Sequence, residues 1–230
     1  MQRTLSRHRS LTALALATVA LVTACGGDDA APEPTFKADI RRTAMGIPHV
    51  KADNWTGIGY GLAYAQAQDD LCTLADSFLT YRGERSKFFG ADALIPFSST
   101  IGRPKNIDAD FFHRHVLNDD AIKAVVAAQP ETMKQMITGF AAGYNRYVRE
   151  IKAGGEAGSH AACRGEAWVR AITVDDLYRR MYAANFAGGY SNFLPNIANA
   201  IAPAATSSAA PTIAMARRAA RAAKPLQLAI

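Results

Sequence analysis

The sequence predicts a mainly α-helical chain with one or two strands near its start. Three observations lead there. Apolar and aromatic residues recur at three- and four-residue spacing in long stretches between residues 54 and 187, the period of a helix that buries one face. Cap-forming or helix-breaking residues flank those stretches. Alternation of apolar and polar residues, the period of a half-buried strand, is confined to the region around residues 36–50.

Residues 1–24 read as an export signal, because Arg3, Arg7 and Arg9 precede an uncharged apolar run from Leu11 to Val22 that ends in small residues. The run is too short to span a bilayer. Val22-Thr23-Ala24-Cys25 is similar to a bacterial lipobox, in which Cys25 is acylated and becomes the first residue of the mature protein. The other reading is an ordinary cleaved signal with an incidental cysteine. Residues 25–35, with Gly26-Gly27-Asp28-Asp29, Pro32 and Pro34, form a flexible tether. A lipoprotein cysteine carries more than enough acyl chains for stable anchoring. The expected location is therefore the periplasm, anchored to the outer membrane by the lipid, or the periplasm without an anchor if Cys25 is not acylated.

From Phe36 to Val50 the chain reads as a strand leading into a turn at Gly46-Ile47-Pro48, with His49 and Val50 resuming an extended course. Pro48 cannot donate to a sheet ladder, which places this segment near an edge or an end. Asp53 or Asn54 can cap the next helix, which runs to about Tyr81. Its small residues Gly57, Gly59, Gly61, Ala63, Ala65 and Ala67 let another backbone approach, and Leu71, Leu74, Ala75 and Phe78 form its core face. The stretch from Gly90 to Asn118, with Pro96, Gly102 and Pro104, reads as a surface connection with short turns.

Asp119 and Asp120 open a helix ending near Gln129, and Pro130 starts the next at a first-turn position where its missing N–H costs little. Met133, Met136, Ile137, Phe140, Tyr144, Tyr147, Val148 and Ile151 form the core stripe of that helix, which Gly154-Gly155 ends. Cys163 to Ile172 is a loop that docks Trp168 and Val169. Thr173 caps a further helix with Asp175 and Asp176 in its first turn, at the positive end of the dipole. The line Leu177, Tyr178, Met181, Tyr182, Phe186 runs along it into Gly188-Gly189, which breaks it. Residues 201–230 change character: a low-complexity Ala/Pro/Thr/Ser run precedes an alanine-rich basic segment from Met215 to Lys224, read as a spacer.

The formal charge of +6 invites a nucleic-acid reading. Of the 26 basic residues, Arg3, Arg7 and Arg9 belong to the signal and Arg217, Arg218, Arg221 and Lys224 to the tail, which leaves 19 against 20 acids. The body is nearly neutral and has no basic stripe interleaved with aromatics, so no nucleic-acid partner is expected. With Cys25 set aside, Cys72 and Cys163 can pair in an oxidising periplasm. Closing a loop of about ninety residues would stabilise the fold by about 4 to 5 kcal/mol in the chain-entropy model. Two unpaired thiols in apolar surroundings are the alternative.

The ordered set Arg41-Arg42, Gly46-Ile47-Pro48-His49, Gly59-Tyr60-Gly61, Tyr64-Ala65-Gln66-Ala67-Gln68-Asp69 and Arg82-Gly83-Glu84-Arg85 resembles the amino-terminal half of the penicillin acylase family, which includes the acyl-homoserine-lactone acylases. The likeness covers residues 36–200. It implies an N-terminal-nucleophile amidohydrolase made as one precursor and cut into two chains, of which this chain is similar to the first. The fold implied is the α-chain part of an αββα architecture whose sheet core lies largely in a β-chain.

The reaction implied is hydrolysis of a linear amide between an acyl chain and an amine, of β-lactam or N-acyl-homoserine-lactone type. In the family the catalytic serine leads the second chain, and its own α-amino group is the base. No catalytic residue is therefore assigned here. Ser207 and Ser208 lie in the spacer, and Ser98, Ser99 and Ser191 lack an obvious paired base. His49 reads as a structural histidine beside the turn and Glu84 as an ion-paired carboxylate. The chain ends at Leu228-Ala229-Ile230, close to where a Gly-Ser-Asn or similar junction is expected, and the spacer matches in position the one that the family cuts out.

The family's first chain lends residues from a late helix, in a Met-Ala-Asn-Arg-Phe pattern, to the wall that receives the acyl group. Tyr182-Ala183-Ala184-Asn185-Phe186 is the nearest match, so the resemblance implies Tyr182, Asn185 and Phe186 as substrate-binding residues, with core packing as the other reading. The family's calcium site takes a glutamate a few residues further on. Here Ala187-Gly188-Gly189-Tyr190-Ser191-Asn192 offers no acid, so no cofactor is expected. The expected partners are the β-chain, a small amide substrate and the membrane that holds the lipid. The alternative is a stand-alone, catalytically dead lipoprotein with a binding or scaffold role.

Overall fold

The computed structural model describes residues 36–96 and 100–203. The signal, Cys25, the tether up to residue 35, Ser98, Ser99, and the spacer from residue 204, with Ser207 and Ser208, lie outside the described residues.

The chain opens with a hairpin. Strand β1 (Asp39–Arg42) pairs antiparallel with β2 (Pro48–Lys51), with Ile40 opposite Val50 and Arg42 opposite Pro48. The expected turn lies between them, closed by the Thr43 N–H on the Ile47 carbonyl (3.0 Å), with Gly46 at φ +81°. Pro48 is the first residue of its strand, where an absent N–H costs the ladder little.

Helix α1 (Trp55–Tyr81) begins at Asn54, whose side chain accepts the Gly57 N–H at 2.7 Å. The sequence suggested one continuous helix, but Asp70 has φ −153° and ψ 75°, so α1 is two helical segments meeting at a kink. The Asp70 carboxylate accepts the Thr73 N–H (3.1 Å) and caps the second segment.

Contact of the first segment of α1 with α5 (Glu131–Lys152), the two running in the same direction with Thr56 against Gly139 and Tyr60 against Gly143, forms the heart of the molecule, and glycine makes that contact possible. A Cβ on Gly59 would stand 1.9 Å from the Met136 carbonyl oxygen, and one on Gly139 would stand 1.8 Å from that of Thr56. The two backbones therefore meet directly. Further along, where α1 turns from small to large residues, Leu71, Leu74, Ala75 and Phe78 interlock with Ile137, Phe140, Tyr144, Tyr147, Val148 and Ile151. Cys72, just past the kink, is joined to Cys163 by a disulfide with Cα atoms 5.7 Å apart. That bridge ties the 153–172 loop to α1, and Val169 and Trp168 dock against the same core.

The stretch from Gly90 to Asn118 corrects the sequence reading. It holds α3 (Asn106–Val116), preceded by the short α2 (Arg85–Phe89). Its breakers, Pro96, Gly102 and Pro104, all lie upstream of Asn106 and leave the following eleven residues free to coil. The helix carries no apolar stripe because the side it buries is largely polar: Asn106, Asp110 and His113 are inside along with Ala109. Tertiary bonds pay for that burial. The Asp110 carboxylate accepts the N–H groups of Arg85 and Ser86, both at 2.8 Å, and Arg85 Nε donates to Asn106 at 3.0 Å.

Helix α4 (Asp119–Ala128) follows, capped by Asn118, and α6 (Val174–Phe186) crosses both α1 and α5. A 3₁₀ turn at Ser191–Phe193 leads into α7 (Leu194–Ala198), which packs on α3 through a satellite core of Ile95, Ile101, Ala109 and Leu194. No helix among the described residues is long and apolar enough to cross a membrane.

Candidate functional site

Helix α6 is fixed at its start and free at its end. Thr173 and Asp176 form a reciprocal capping box, with the Thr173 N–H on Asp176 at 2.7 Å. Arg82, just beyond α1, grips the same Asp176 with Nε at 2.7 Å and Nη2 at 2.5 Å. Burial works to raise the Asp176 carboxyl, which is 5% exposed, but Arg82 and Thr173 outweigh it and hold the group below the usual carboxylate range.

Around this anchor lies a polar cleft of about 540 Å³, lined in part by Glu84, Arg114, Arg170 and Arg179. Most of its charges are paired, while Arg114 donates to the Gly83 carbonyl at 2.8 Å. Glu84 is paired with Arg170, and Arg179 with Asp119 at 2.6 Å. Glu84 is thus an ion-paired carboxylate, and the cleft sets where α6 begins.

At its other end α6 presents a row of aromatic rings. Tyr182 and Phe186, one turn apart, have ring centroids 4.9 Å apart. Phe186 lies 5.2 Å from Tyr190, and Tyr190 lies 6.0 Å from Phe112 of α3. Both Tyr182 and Phe186 are half-buried, and Asn185 is exposed beside them with no side-chain hydrogen bond to the described residues. The turn that returns Tyr190 to the row is pinned by Ser191, whose buried hydroxyl lies 2.7 Å from the Thr100 carbonyl and 2.8 Å from that of Phe186. Burial raises the Tyr190 hydroxyl pKa, with the neighbouring Tyr182 adding to it.

The three residues selected from the sequence therefore sit together, and two more belong with them. Tyr190 follows Phe186 at four-residue spacing, a signal that the Gly188-Gly189 break obscured. Phe112 comes from α3, which no sequence period links to α6.

Such a surface can hold an apolar group. Among the described residues, no hydroxyl of Ser77, Ser86, Ser159 or Ser191 is hydrogen-bonded to an imidazole or carboxylate. His49 stands exposed on β2 opposite Arg41, away from any serine bond. Also among the described residues, no three His, Cys, Asp or Glu side chains gather as a metal site would need. Residues 187–192 carry no carboxylate.

Comparison with known proteins places this geometry. Residues 37–215 match the family model described as penicillin amidase. The chain is 37% identical over 197 residues to the acyl-homoserine lactone acylase PvdQ of Pseudomonas fluorescens, covering 86% of this chain and 24% of that protein. It is 34% identical over 178 residues to the aculeacin-A acylase of Actinoplanes utahensis, covering 76% and 22% respectively. The chain spans about a quarter of the length of the curated relatives it matches. A solved chain of the thermostable penicillin G acylase from Alcaligenes faecalis superposes with a TM-score of 0.51 at 18% identity, covering 77% of this chain and 100% of that one. At that identity the likeness speaks for the fold alone.

Proposed function

The chain belongs to the penicillin amidase family, and from that premise we propose that it is the first-chain segment of an acylase that hydrolyses a linear amide between an acyl chain and an amine. Homologues named as acyl-homoserine lactone and aculeacin-A acylases support this amidohydrolase reading. The observation that carries it is the aromatic row itself. Tyr182, Phe186 and Tyr190 form an apolar wall open to the outside, with Asn185 as a polar contact at its edge, and none of the described serines beside it has a base. Apolar pockets with a few placed polar groups suit an acyl ligand.

The reacting groups belong to a second chain. Its leading serine attacks the amide carbonyl carbon through Oγ while the serine's own α-amine takes the hydroxyl proton. The tetrahedral oxyanion collapses to an acyl-serine ester and the protonated amine leaves. Water then attacks the ester, releasing the acid and restoring the hydroxyl. This chain contributes the scaffold and one wall, and by itself it is inactive. We place the assembled enzyme in the periplasm, held by a lipid on Cys25, and mass spectrometry of the mature amino terminus tests that anchor.

Co-expression with the serine-led second chain, followed by assay of N-hexanoyl- and N-dodecanoyl-homoserine lactone and a phenylacetyl amide, tests the function. Cleavage of at least one by the pair and none by the 230-residue chain is expected. Failure of a correctly processed pair on all three, or cleavage by this chain alone, rejects the proposal.

A further inference from the structure

Two surfaces of this chain expose large apolar side chains, and they differ in charge. The groove of about 290 Å³ between α3 and α7 carries the carboxylate of Asp108 and continues from the aromatic row through Phe112. The other surface is the β1–β2 hairpin. At its turn Met45 is 86% exposed and Ile47 59%. Between residues 37 and 51 one acid, Asp39, stands against Lys37, Arg41, Arg42 and Lys51.

The hairpin has an inner and an outer face. Ala38, Ile40 and Val50 pack toward Gly61 of α1, where an added Cβ would stand 2.6 Å from Val50 Cγ1. Strand alternation turns Asp39, Arg41, His49 and Lys51 the other way, and all four are exposed. Arg42 is engaged within the fold: its Nη1 lies 2.8 Å from Asp69 and donates to the Gly46 carbonyl at 2.8 Å, which holds the turn in shape. The side chains of Lys37, Arg41 and Lys51 make no ion pair or hydrogen bond among the described residues.

What covers this face follows from the tether. A lipid on Cys25 is joined to Phe36 through residues 26–35, which span at most about 40 Å even when fully extended. The hairpin is the first element after them, so the tether confines it close to the bilayer. Beside its entry, where the Lys37 carbonyl oxygen would lie 2.5 Å from a Cβ on Gly57, α1 begins with Trp55, 51% exposed, and indoles favour the boundary between lipid and water. Unpaired cations beside apolar side chains suit anionic headgroups and the acyl region beneath them, whereas Asp108 gives the α3–α7 groove the opposite charge. We propose that the outer face of the hairpin rests on the anionic lipid surface that holds Cys25, with Met45 and Ile47 entering below the headgroups. This rests on the lipid-anchor reading and adds an orientation to it. The hairpin covers the first segment of α1, while α3, which carries Phe112, meets Tyr81 at the other end through His113 (5.2 Å). The contact therefore leaves the acyl wall clear of the bilayer.

The test holds the mature chain, from Gly26, on vesicles through an amino-terminal hexahistidine tag and a nickel-chelating lipid, alone and joined to its second chain. The result is then independent of acylation at Cys25. Met45→Trp places an indole at the turn, and its quenching by brominated acyl chains, measured against the same protein with Met45, reads contact with the bilayer. Quenching is expected on phosphatidylglycerol/phosphatidylethanolamine vesicles with and without the second chain, and it should fall at least about threefold on phosphatidylcholine and in K37Q/R41Q/K51Q. K87Q/R103Q/K123Q removes three exposed cations from α2, α4 and the stretch before α3 and should leave it unchanged. All these side chains are exposed, so the melting temperature should not change. Equal quenching on both lipids, equal loss in both triple variants or no quenching at all would overturn the proposal. So would quenching abolished when the second chain joins, which would give the hairpin to the chain–chain contact. Mass spectrometry of the native amino terminus is a separate readout: an unmodified Cys25 removes the anchor and leaves the lipid contact of the hairpin standing.

Discussion

The α1–α5 contact and the α3–α7 face are built from opposite choices. In the first, glycines bring two backbones together, Tyr144 and Tyr147 are fully buried, and the loop that follows is bridged to α1 through Cys72 and Cys163. In the second, a small satellite core holds α7 on α3, while Phe111, Phe193 and Ile197 remain in water. The difference separates what this chain needs in order to fold from what it offers to another molecule. Substitutions in the first region should cost stability, and substitutions in the second should cost assembly or catalysis with stability nearly unchanged.

The sharpest way to break that contrast is Gly139→Ala. Its new methyl would stand 1.8 Å from the Thr56 carbonyl oxygen, a backbone atom that moves only if the helices separate. Overpacking of this severity should outweigh the better helix propensity of alanine and cost at least about 3 kcal/mol. Urea unfolding of the isolated chain measures it, and a loss under about 1 kcal/mol would mean the helices sit less closely than described.

Comparable in size but conditional on pH is the effect of His113, which sits between the rings of Tyr81 and Phe112. Burial pushes its pKa down to about 4. The folded state therefore binds fewer protons than the unfolded state between that value and the ordinary one near 6.5. The neutral imidazole's stability is fully present above about pH 6.5 and is lost as pH falls to 4, by about 3 kcal/mol. Carboxylates such as Asp176 add their own loss further down. Unfolding free energies at pH 7 and pH 4.5 for wild type and His113→Gln should converge at the lower pH, and parallel curves would remove His113 as the cause.

The smallest expected effect on folding is at Asn185. Exposed and without a side-chain hydrogen bond to the described residues, it should tolerate Asn185→Ala within about 0.5 kcal/mol. In the joined enzyme the same change should lower kcat/KM for an N-acyl amide by about tenfold, the order of one lost polar contact. A variant with unchanged kcat/KM would reduce Asn185 to a surface residue and leave Tyr182 and Phe186 as the wall.

Local chemistry made much of the fold readable in advance. Asn54, Pro130 and Thr173 stand at their helix starts because a side-chain acceptor, or a residue with no N–H to lose, is favoured there whatever the surroundings. The aromatic line of α6 was visible because one apolar stripe repeats at helical spacing. Helix α3 was invisible for the converse reason, since Asn106, Asp110 and His113 are buried against partners contributed largely by other segments. The kink at Asp70 was likewise hidden in a run that every local preference allows to be helical.

What the sequence by itself determined is the set of capped helices, the glycine-lined contact surface and the membership of Tyr182, Asn185 and Phe186 in one turn of helix, because each depends on residues a few positions apart. Only the tertiary structure decided that Tyr190 and Phe112 complete the row, and that the α3–α7 groove continues from it. Phe112 stands 78 residues before Tyr190 in the chain, and no local period links residues that meet only when separate helices pack.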